Sequence, residues 1–202
     1  SSQSTRRKFA SLKPDQKVGF IGPFTNSKSS KQHQMETPED VLCRQCGLCC
    51  DGSLFADVLV TEAELQPIEE VVGYERREDR ILLQQPCQAL CDGDCQVYSY
   101  RPAGCRSFEC ELLKQVKCGE TQASTALDII KTVRETILSI EDLLIQLGEE
   151  DSELPLSFRY ESALSQAWDL TDPESIQTQR AQLFELVTDL DSTFQDRFRS
   201  SD

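Results

Sequence analysis

Histidine is almost absent from this 202-residue chain, which has only His33. The body of the chain therefore cannot form a zinc finger with histidine ligands or a metal-activated hydrolase of the histidine-rich type. The sequence also lacks a phosphate-binding P-loop, a dinucleotide fingerprint and the nucleophile elbow of a hydrolase. We therefore assign no catalytic residue from the sequence, and any metal must be bound by other side chains.

Long apolar runs are lacking as well. No stretch approaches the roughly 20 apolar residues that a membrane-spanning helix needs, so the sequence predicts no membrane span. The apolar segment 18–24 is short and broken by glycine and proline, unlike the core of a secretory signal. We expect a cytoplasmic location. The alternative is a plastid or mitochondrial one, because the Ser- and Arg-rich start reads like a transit segment.

Positive charge is scarce outside the first 35 residues. The whole chain carries a formal charge of −14, but residues 1–35 hold seven basic residues and one acidic residue, so the rest carries −20. A body this acidic repels phosphate backbones, which excludes nucleic-acid binding by it. Residues 1–40 are polar and lack hydrophobic periodicity, which predicts a flexible basic tail able to contact an acidic protein partner.

Cysteine, in contrast, is abundant, and all ten cysteines lie between residues 43 and 118. Three zones result: the tail 1–40, a cysteine-rich domain 41–118 and a cysteine-free helical region 119–202. Hydrophobic residues make up only 38% of the chain, so a structural metal is expected to supply part of the folding energy of the middle zone.

The first cysteine block places four thiols within eight residues, in the order Cys43-x-x-Cys46-x-x-Cys49-Cys50. A repeated two-residue spacer turns three sulfur atoms toward one ion, as iron–sulfur sites often do. Zinc sites more often take one such pair from each of two segments. The side chain of Cys50 leaves the backbone in another direction than that of Cys49, so we expect it to serve a second site.

Later cysteines supply enough thiols for two four-cysteine sites; they are Cys87, Cys91, Cys95, Cys105, Cys110 and Cys118. Three alternatives to metal binding remain open. Disulfides would be strained among four cysteines so close together. Buried thiols without a ligand role suit Cys118 and Cys91. A redox dithiol at Cys43 and Cys46 lacks the surrounding βαβ pattern.

Short strands are predicted over residues 54–60, 80–83 and 95–98. Between the first two, Thr61 and Glu64 form a capping box that opens a short helix. Elements this short are typical of a domain that a metal stabilises.

The C-terminal zone has helical periodicity. Apolar residues recur from Leu127 to Leu147, and Gly148 stands where a helix ends. A shorter helix is predicted over 160–168, and residues 171–174 carry the start signal of a third. The predicted fold class is α+β: a small, irregular, metal-stabilised cysteine-cluster domain with short strands, followed by a C-terminal helical hairpin or bundle. The apolar faces of these helices pack on each other or bind a protein partner.

The cysteine pattern, extended by the string Tyr98-x-x-Arg101-Pro102-x-x-Cys105-Arg106-x-Phe108-x-Cys110, closely resembles the YkgJ-type cysteine-cluster family over about residues 41–112. That family is described as a zinc- or iron-chelating domain. The resemblance implies metal chelation by eight thiols: Cys43, Cys46, Cys49, Cys50, Cys87, Cys95, Cys105 and Cys110.

Two arginines, Arg101 and Arg106, match the family string and are candidate cofactor-binding residues. They could neutralise a thiolate cluster or donate hydrogen bonds to its sulfur atoms. The alternative is a pair of surface ion pairs. Cys91 and Cys118 fall outside the set of cysteines that the resemblance implies.

Three functions are compatible with these residues. The first is a protein that holds a [4Fe–4S] cluster, and a second metal, in an electron-transfer, sensing or accessory role. The second is a structural zinc (Zn²⁺) module for protein interaction. The third is a component of a protein methylase or a small oxidoreductase, since a flagellin lysine methylase has a similar cysteine cluster. A partner would bind through the C-terminal helices or the N-terminal tail.

Overall fold

The structure is a computed structural model that describes residues 38–166 and 173–199. Helices account for most of the ordered chain in that part; they are α1 (Pro38–Cys46), α2 (Glu62–Leu65), α3 (Ala103–Ser107), α4 (Glu111–Lys117), α5 (Ala123–Gln146), α6 (Leu156–Ser165) and α7 (Glu174–Thr193). The strands are short and lie before α3; they are β1 (Asp57–Val60), β2 (Tyr74–Arg77), β3 (Arg80–Gln84), β4 (Leu90–Cys91) and β5 (Asp94–Cys95). The α+β fold class is confirmed.

Helix α1 begins at Pro38, inside the segment 1–40 that was expected to lack structure. The expectation is therefore wrong for residues 38–40. Residues 1–37 lie outside the described residues. The sequence of α1 has little apolar periodicity, because among the side chains described from residue 41 to residue 46 only Leu42 is buried, at 3% exposed. Helix α1 is stabilised by its packing against α5 and not by an apolar stripe of its own.

The three-stranded sheet is antiparallel, with β3 in the centre between β1 and β2. Its buried side chains include Val60, Ile81 and Leu83, and these pack with Leu65 of α2 in a small core. The strand expected over 54–60 starts only at Asp57. No signal in the sequence marks β2, because its side chains are not buried and so show no apolar alternation.

The strand expected over 95–98 ends at Cys95, and the chain then forms a 3₁₀ turn, Tyr98–Tyr100. Asp92 and Gly93, with φ of +50° and +80°, make the two-residue turn that joins β4 to β5. Positive φ at both positions matches the twist of a tight hairpin. Cys95 therefore ends the second strand of a hairpin that lies before it in the chain, and the expected strand over 95–98 was placed too far toward the C-terminus.

The C-terminal helices follow the apolar periodicity. Helix α5 ends where predicted: Gly148 has a φ of +87°, and the N–H groups of Gly148 and Glu149 donate to the carbonyl oxygens of Ile145 and Leu144. Helix α6 begins at Leu156, earlier than predicted, while Trp168 lies outside the described residues. Helix α7 begins at Glu174, and a π-helical turn, Phe194–Phe198, follows it.

One large hydrophobic core joins the cysteine-rich zone to the C-terminal helices. Leu48 and Leu112, from the first zone, are fully buried in it together with Leu144 of α5 and Leu183 of α7. Helix α5 packs against α1, α4, α6 and α7. In the described part of the chain, no helix has the length and apolarity to cross a membrane.

Candidate metal centre

The first cysteine block is a helix end followed by a tight turn. Cys43 and Cys46 lie three residues apart on α1, so their side chains share one face of the helix. Gly47 then takes a φ of +67° and ends the helix, and its N–H donates to the Cys43 carbonyl oxygen at 3.1 Å. The N–H of Cys50 donates back to the Gly47 oxygen at 2.8 Å, which closes the turn.

This turn brings Cys49 back beside Cys46, and the start of α4 adds a fourth thiol. The pKa of Cys49 is raised first by burial and then by the charges of Cys46, Cys50, Cys110 and Cys43, so Cys50 lies close to this group as well. The pKa of Cys46 responds to Cys110 and Cys43 in the same way. We call these four residues the first cysteine set; it consists of Cys43, Cys46, Cys49 and Cys110.

The other four thiols form a second group around Cys50. Its pKa is raised to about 12, first by burial and then by the charges of three distal cysteines. The N–H of Cys87 donates to the Cys50 carbonyl oxygen at 2.7 Å, which fixes one of these neighbours against the first block. We call this group the second cysteine set; it consists of Cys50, Cys87, Cys95 and Cys105.

Helix α3 carries Cys105 and is held in place by the capping box of α2. The Glu64 carboxylate accepts hydrogen bonds from the Thr61 N–H at 2.9 Å and, through its other oxygen, from the Ala103 N–H at 2.7 Å. The Ala103 N–H is the main reason that the pKa of Glu64 falls to about 2. The Glu64 carboxylate, which completes the capping box of α2, therefore also anchors Ala103, the first residue of α3. Helix α3 bears Cys105, a thiol of the second set.

Burial makes six of these eight thiols reluctant to ionise. It raises the pKa of Cys46 to about 12 and also raises the pKa values of Cys87, Cys105 and Cys110. Main-chain N–H groups oppose this effect; at the start of α4, for example, the Leu113 N–H donates to the Cys110 Sγ at 3.4 Å. N–H donors aimed at sulfur stabilise a thiolate and a metal–thiolate bond alike.

A metal cation fits this chemistry. Thiolates this close together repel one another, and a bound cation would offset that repulsion. Cys43 is exposed, and the other seven thiols of the two sets are partly buried. The thiols are neighbours but do not yet converge on one point: within residues 38–166 and 173–199, no group of three or more His, Cys, Asp or Glu side chains is arranged as a metal site. Metal binding would therefore draw the thiols of each set together by side-chain rotation.

Residues 42–127 match the model of a family described as "CxxCxxCC: Putative zinc- or iron-chelating domain". The match covers both cysteine sets and extends into the first turns of α5, and it confirms the family that the cysteine pattern resembled. No curated protein and no solved structure matches the chain.

The two arginines that were expected beside the cofactor occupy different positions in the CxxCxxCC domain. The Arg101 guanidinium lies over the Tyr98 ring, 3.7 Å from its centroid, and its charge lowers the pKa of Cys105, against the larger effect of burial. Arg106 is exposed, and its charge acts on Glu64. Arg101 is thus placed toward the second cysteine set, and Arg106 toward the carboxylate that anchors α3.

A third arginine, Arg134, lies just beyond the residues that match the family and was not singled out from the sequence. Arg134, on α5, donates from one guanidinium nitrogen to the Cys46 carbonyl oxygen and from the other to the Asp51 carboxylate at 2.5 Å. Its charge also lowers the pKa of Cys46, against burial. A sequence reading could have found only one signal, a basic residue on the otherwise buried face of an amphipathic helix.

The two cysteines outside the sets, Cys91 and Cys118, are exposed, so the expectation that they are buried is wrong. Cys91 lies against the Asp92 carboxylate, and Cys118 donates to the Gln115 carbonyl oxygen. All ten cysteines lie in the described residues, and no disulfide links them.

Proposed function

We propose that the CxxCxxCC domain binds two metal centres, a [4Fe–4S] cluster in the first cysteine set and a second metal in the second cysteine set. The proposal is supported by the tight turn at Gly47, which places Cys49 near Cys46, and by the hydrogen bond from the Cys87 N–H to the Cys50 carbonyl oxygen, which brings a distal cysteine to Cys50. The first set combines three thiols at two-residue spacing with one distal thiol, the ligand pattern that iron–sulfur clusters often use.

The surroundings of the first set support a redox centre. Cys46, Cys49 and Cys110 pack against the large hydrophobic core, where the rings of Phe55 and Phe108 meet edge to face at 4.9 Å. An apolar neighbourhood limits the approach of water and lowers the local dielectric constant. Both effects tune the potential of a cluster, and the exclusion of water also slows its oxidation. A bound cluster would supply one-electron chemistry; the chain supplies the thiolates, their N–H donors and the apolar surroundings.

The role that follows is electron transfer, sensing or support of a partner, without catalysis by the chain itself. Exposed apolar side chains on α5 and α7, among them Leu138, Ile145 and Phe184, are the proposed contact surface for a protein partner. We place the protein in the cytoplasm because buried thiolate sites need a compartment that keeps cysteine reduced.

Metal analysis of protein purified without oxygen tests the proposal. We expect iron and acid-labile sulfide, a brown colour and broad absorbance near 400 nm. Colourless protein with two zinc ions per chain would replace the redox role by a structural zinc module, since four thiolates also satisfy zinc. Protein that binds neither metal at its cysteines would refute the proposed function in both forms.

A further inference from the structure

Arg134 joins the longest helix of the protein to the turn that carries the first cysteine set. One nitrogen of its guanidinium donates to the Cys46 carbonyl oxygen, and the other donates to the carboxylate of Asp51, the residue that follows Cys50. The Asp51 carboxylate in turn accepts from the Ser53 N–H at 2.9 Å. One planar side chain thus bridges both ends of the turn, a task for which a fork of N–H donors is suited.

The turn is built to admit this guanidinium. A Cβ atom at position 47 would lie 2.9 Å from the terminal nitrogen of Arg134, so Gly47 leaves the space that the side chain needs. The Asp51 side chain is 19% exposed and that of Arg134 is 37% exposed, so water screens the ion pair only in part. The contact is therefore more than a surface ion pair.

We propose that Arg134 is a positioning residue for the first cysteine set, and that the charges of Arg134 and Asp51 tune the potential of a cluster bound there. This inference rests on the proposed function. The guanidinium lies against the main chain of Cys46, a residue of the first set, and the Asp51 carboxylate lies against the same guanidinium. Both charges are therefore held at the turn that carries the first set.

The two charges have opposite effects on a cluster in the first set. Reduction adds an electron, so a nearby positive charge favours the reduced state and a nearby negative charge disfavours it. Replacing Arg134 should lower the midpoint potential, and replacing Asp51 should raise it. A purely structural role for the pair would loosen the site in both variants but would not shift the potential in opposite directions.

The test is an anaerobic redox titration of the full-length protein with its cluster, followed by electron paramagnetic resonance. The variants are Arg134→Gln, Arg134→Lys and Asp51→Asn; the last keeps an oxygen that can accept the Ser53 N–H. Arg76→Gln is the matched control, because Arg76 also donates two hydrogen bonds to a carboxylate, that of Glu62, but at an exposed site.

For Arg134→Gln we expect the ratio of reduced to oxidised cluster at a fixed potential to fall about tenfold. For a one-electron couple this corresponds to a midpoint potential that is lower by about 59 mV. Arg134→Lys should stay near the wild-type potential because it keeps the charge, while losing its cluster faster because an ammonium cannot bridge both acceptors. Asp51→Asn should shift the potential upward, and Arg76→Gln should leave it unchanged.

The results separate this inference from the proposed function. A wild-type protein that binds no iron–sulfur cluster would refute the proposed function and this inference with it. A wild-type protein that binds the cluster, together with Arg134 and Asp51 variants at the wild-type potential, would refute this inference alone. If the Arg134→Gln variant does not hold a cluster, the Asp51→Asn variant tests the proposal by itself. A midpoint potential of the Asp51→Asn variant that is equal to or lower than that of the wild type would contradict the proposal.

Discussion

Gly47 ends helix α1 in the left-handed region and lies against the guanidinium of Arg134. Gly119, which follows α4, has a similar φ of +80° but has open space where a Cβ would lie. Alanine at either position meets the backbone cost of positive φ, about 1–2 kcal/mol. Only at position 47 does the new methyl group also displace a charged side chain from its partners.

We therefore predict that Gly47→Ala lowers the free energy of unfolding by at least about 1 kcal/mol more than Gly119→Ala does. Urea denaturation of the two variants measures the difference. Equal losses would show that the contact between Gly47 and Arg134 contributes nothing to stability.

The division of the thiols predicts which metal each cysteine holds. Cys46→Ser should remove the metal of the first set and leave that of the second, and Cys95→Ser should do the reverse. Cys118→Ser is the matched control, because Cys118 is exposed and belongs to neither set. Metal content of each purified variant checks the prediction, and loss of metal from the Cys118 variant would show that the sets are drawn wrongly.

At the residue scale, spacing alone predicts that the first three cysteines serve one site and that Cys50 serves another, and this partition stays a prediction. Which distal thiol joins each group depends on how the chain folds between residues 50 and 110. The sequence could not assign Cys110 to the first set, because its place there comes from the packing of α4. Arg134 is marked only as a basic residue on the apolar face of α5, and its partners could not be predicted because they lie more than 80 residues away.

At the scale of elements, the link from α2 to α3 makes its own prediction. Glu64→Gln weakens the acceptor that holds the Thr61 and Ala103 N–H groups, so α3 and its cysteine should move more freely. Glu62→Gln is the control; Glu62 is on the same helix but pairs with Arg76. We expect the second set to lose its metal to a chelator several-fold faster in the Glu64 variant. Equal rates in the two variants would contradict this link.

The sequence predicted the elements that have a buried stripe and missed those that do not. Helices α5 and α7 place apolar residues at helical spacing, strand β3 has a run of three buried apolar residues, and each of these elements was expected. Helix α1 and strand β2 bury few or none of their described side chains, so no periodicity marks them. Their conformation is set by neighbours, α5 in one case and β3 in the other.

At the scale of the whole molecule, the shared core ties the first cysteine set to the C-terminal helices. Removing residues after 119 would expose Leu48 and Leu112, which are fully buried against those helices. Cys87 of the second set packs instead against the small core of the sheet. Truncation should therefore affect the first set more than the second.

We predict that a chain ending at residue 119 loses the metal of its first set in air several-fold faster than the full chain does, because burial of the thiols is lost. Metal content against time in aerated buffer measures this. A truncated protein that keeps both metals as long as the full chain would show that the helices do not protect the site, and their exposed apolar residues should then be tested for a partner.

The central claim is that eight cysteines form two separate metal sites. Native mass spectrometry of the anaerobically purified full-length chain tests it directly, because the mass added to the polypeptide identifies the number and kind of centres. The account predicts one species with two centres, whose mass fits a [4Fe–4S] cluster and a second metal. A fully loaded chain that carries only one centre, or whose bound mass survives replacement of Cys46 and Cys95 together, would contradict it.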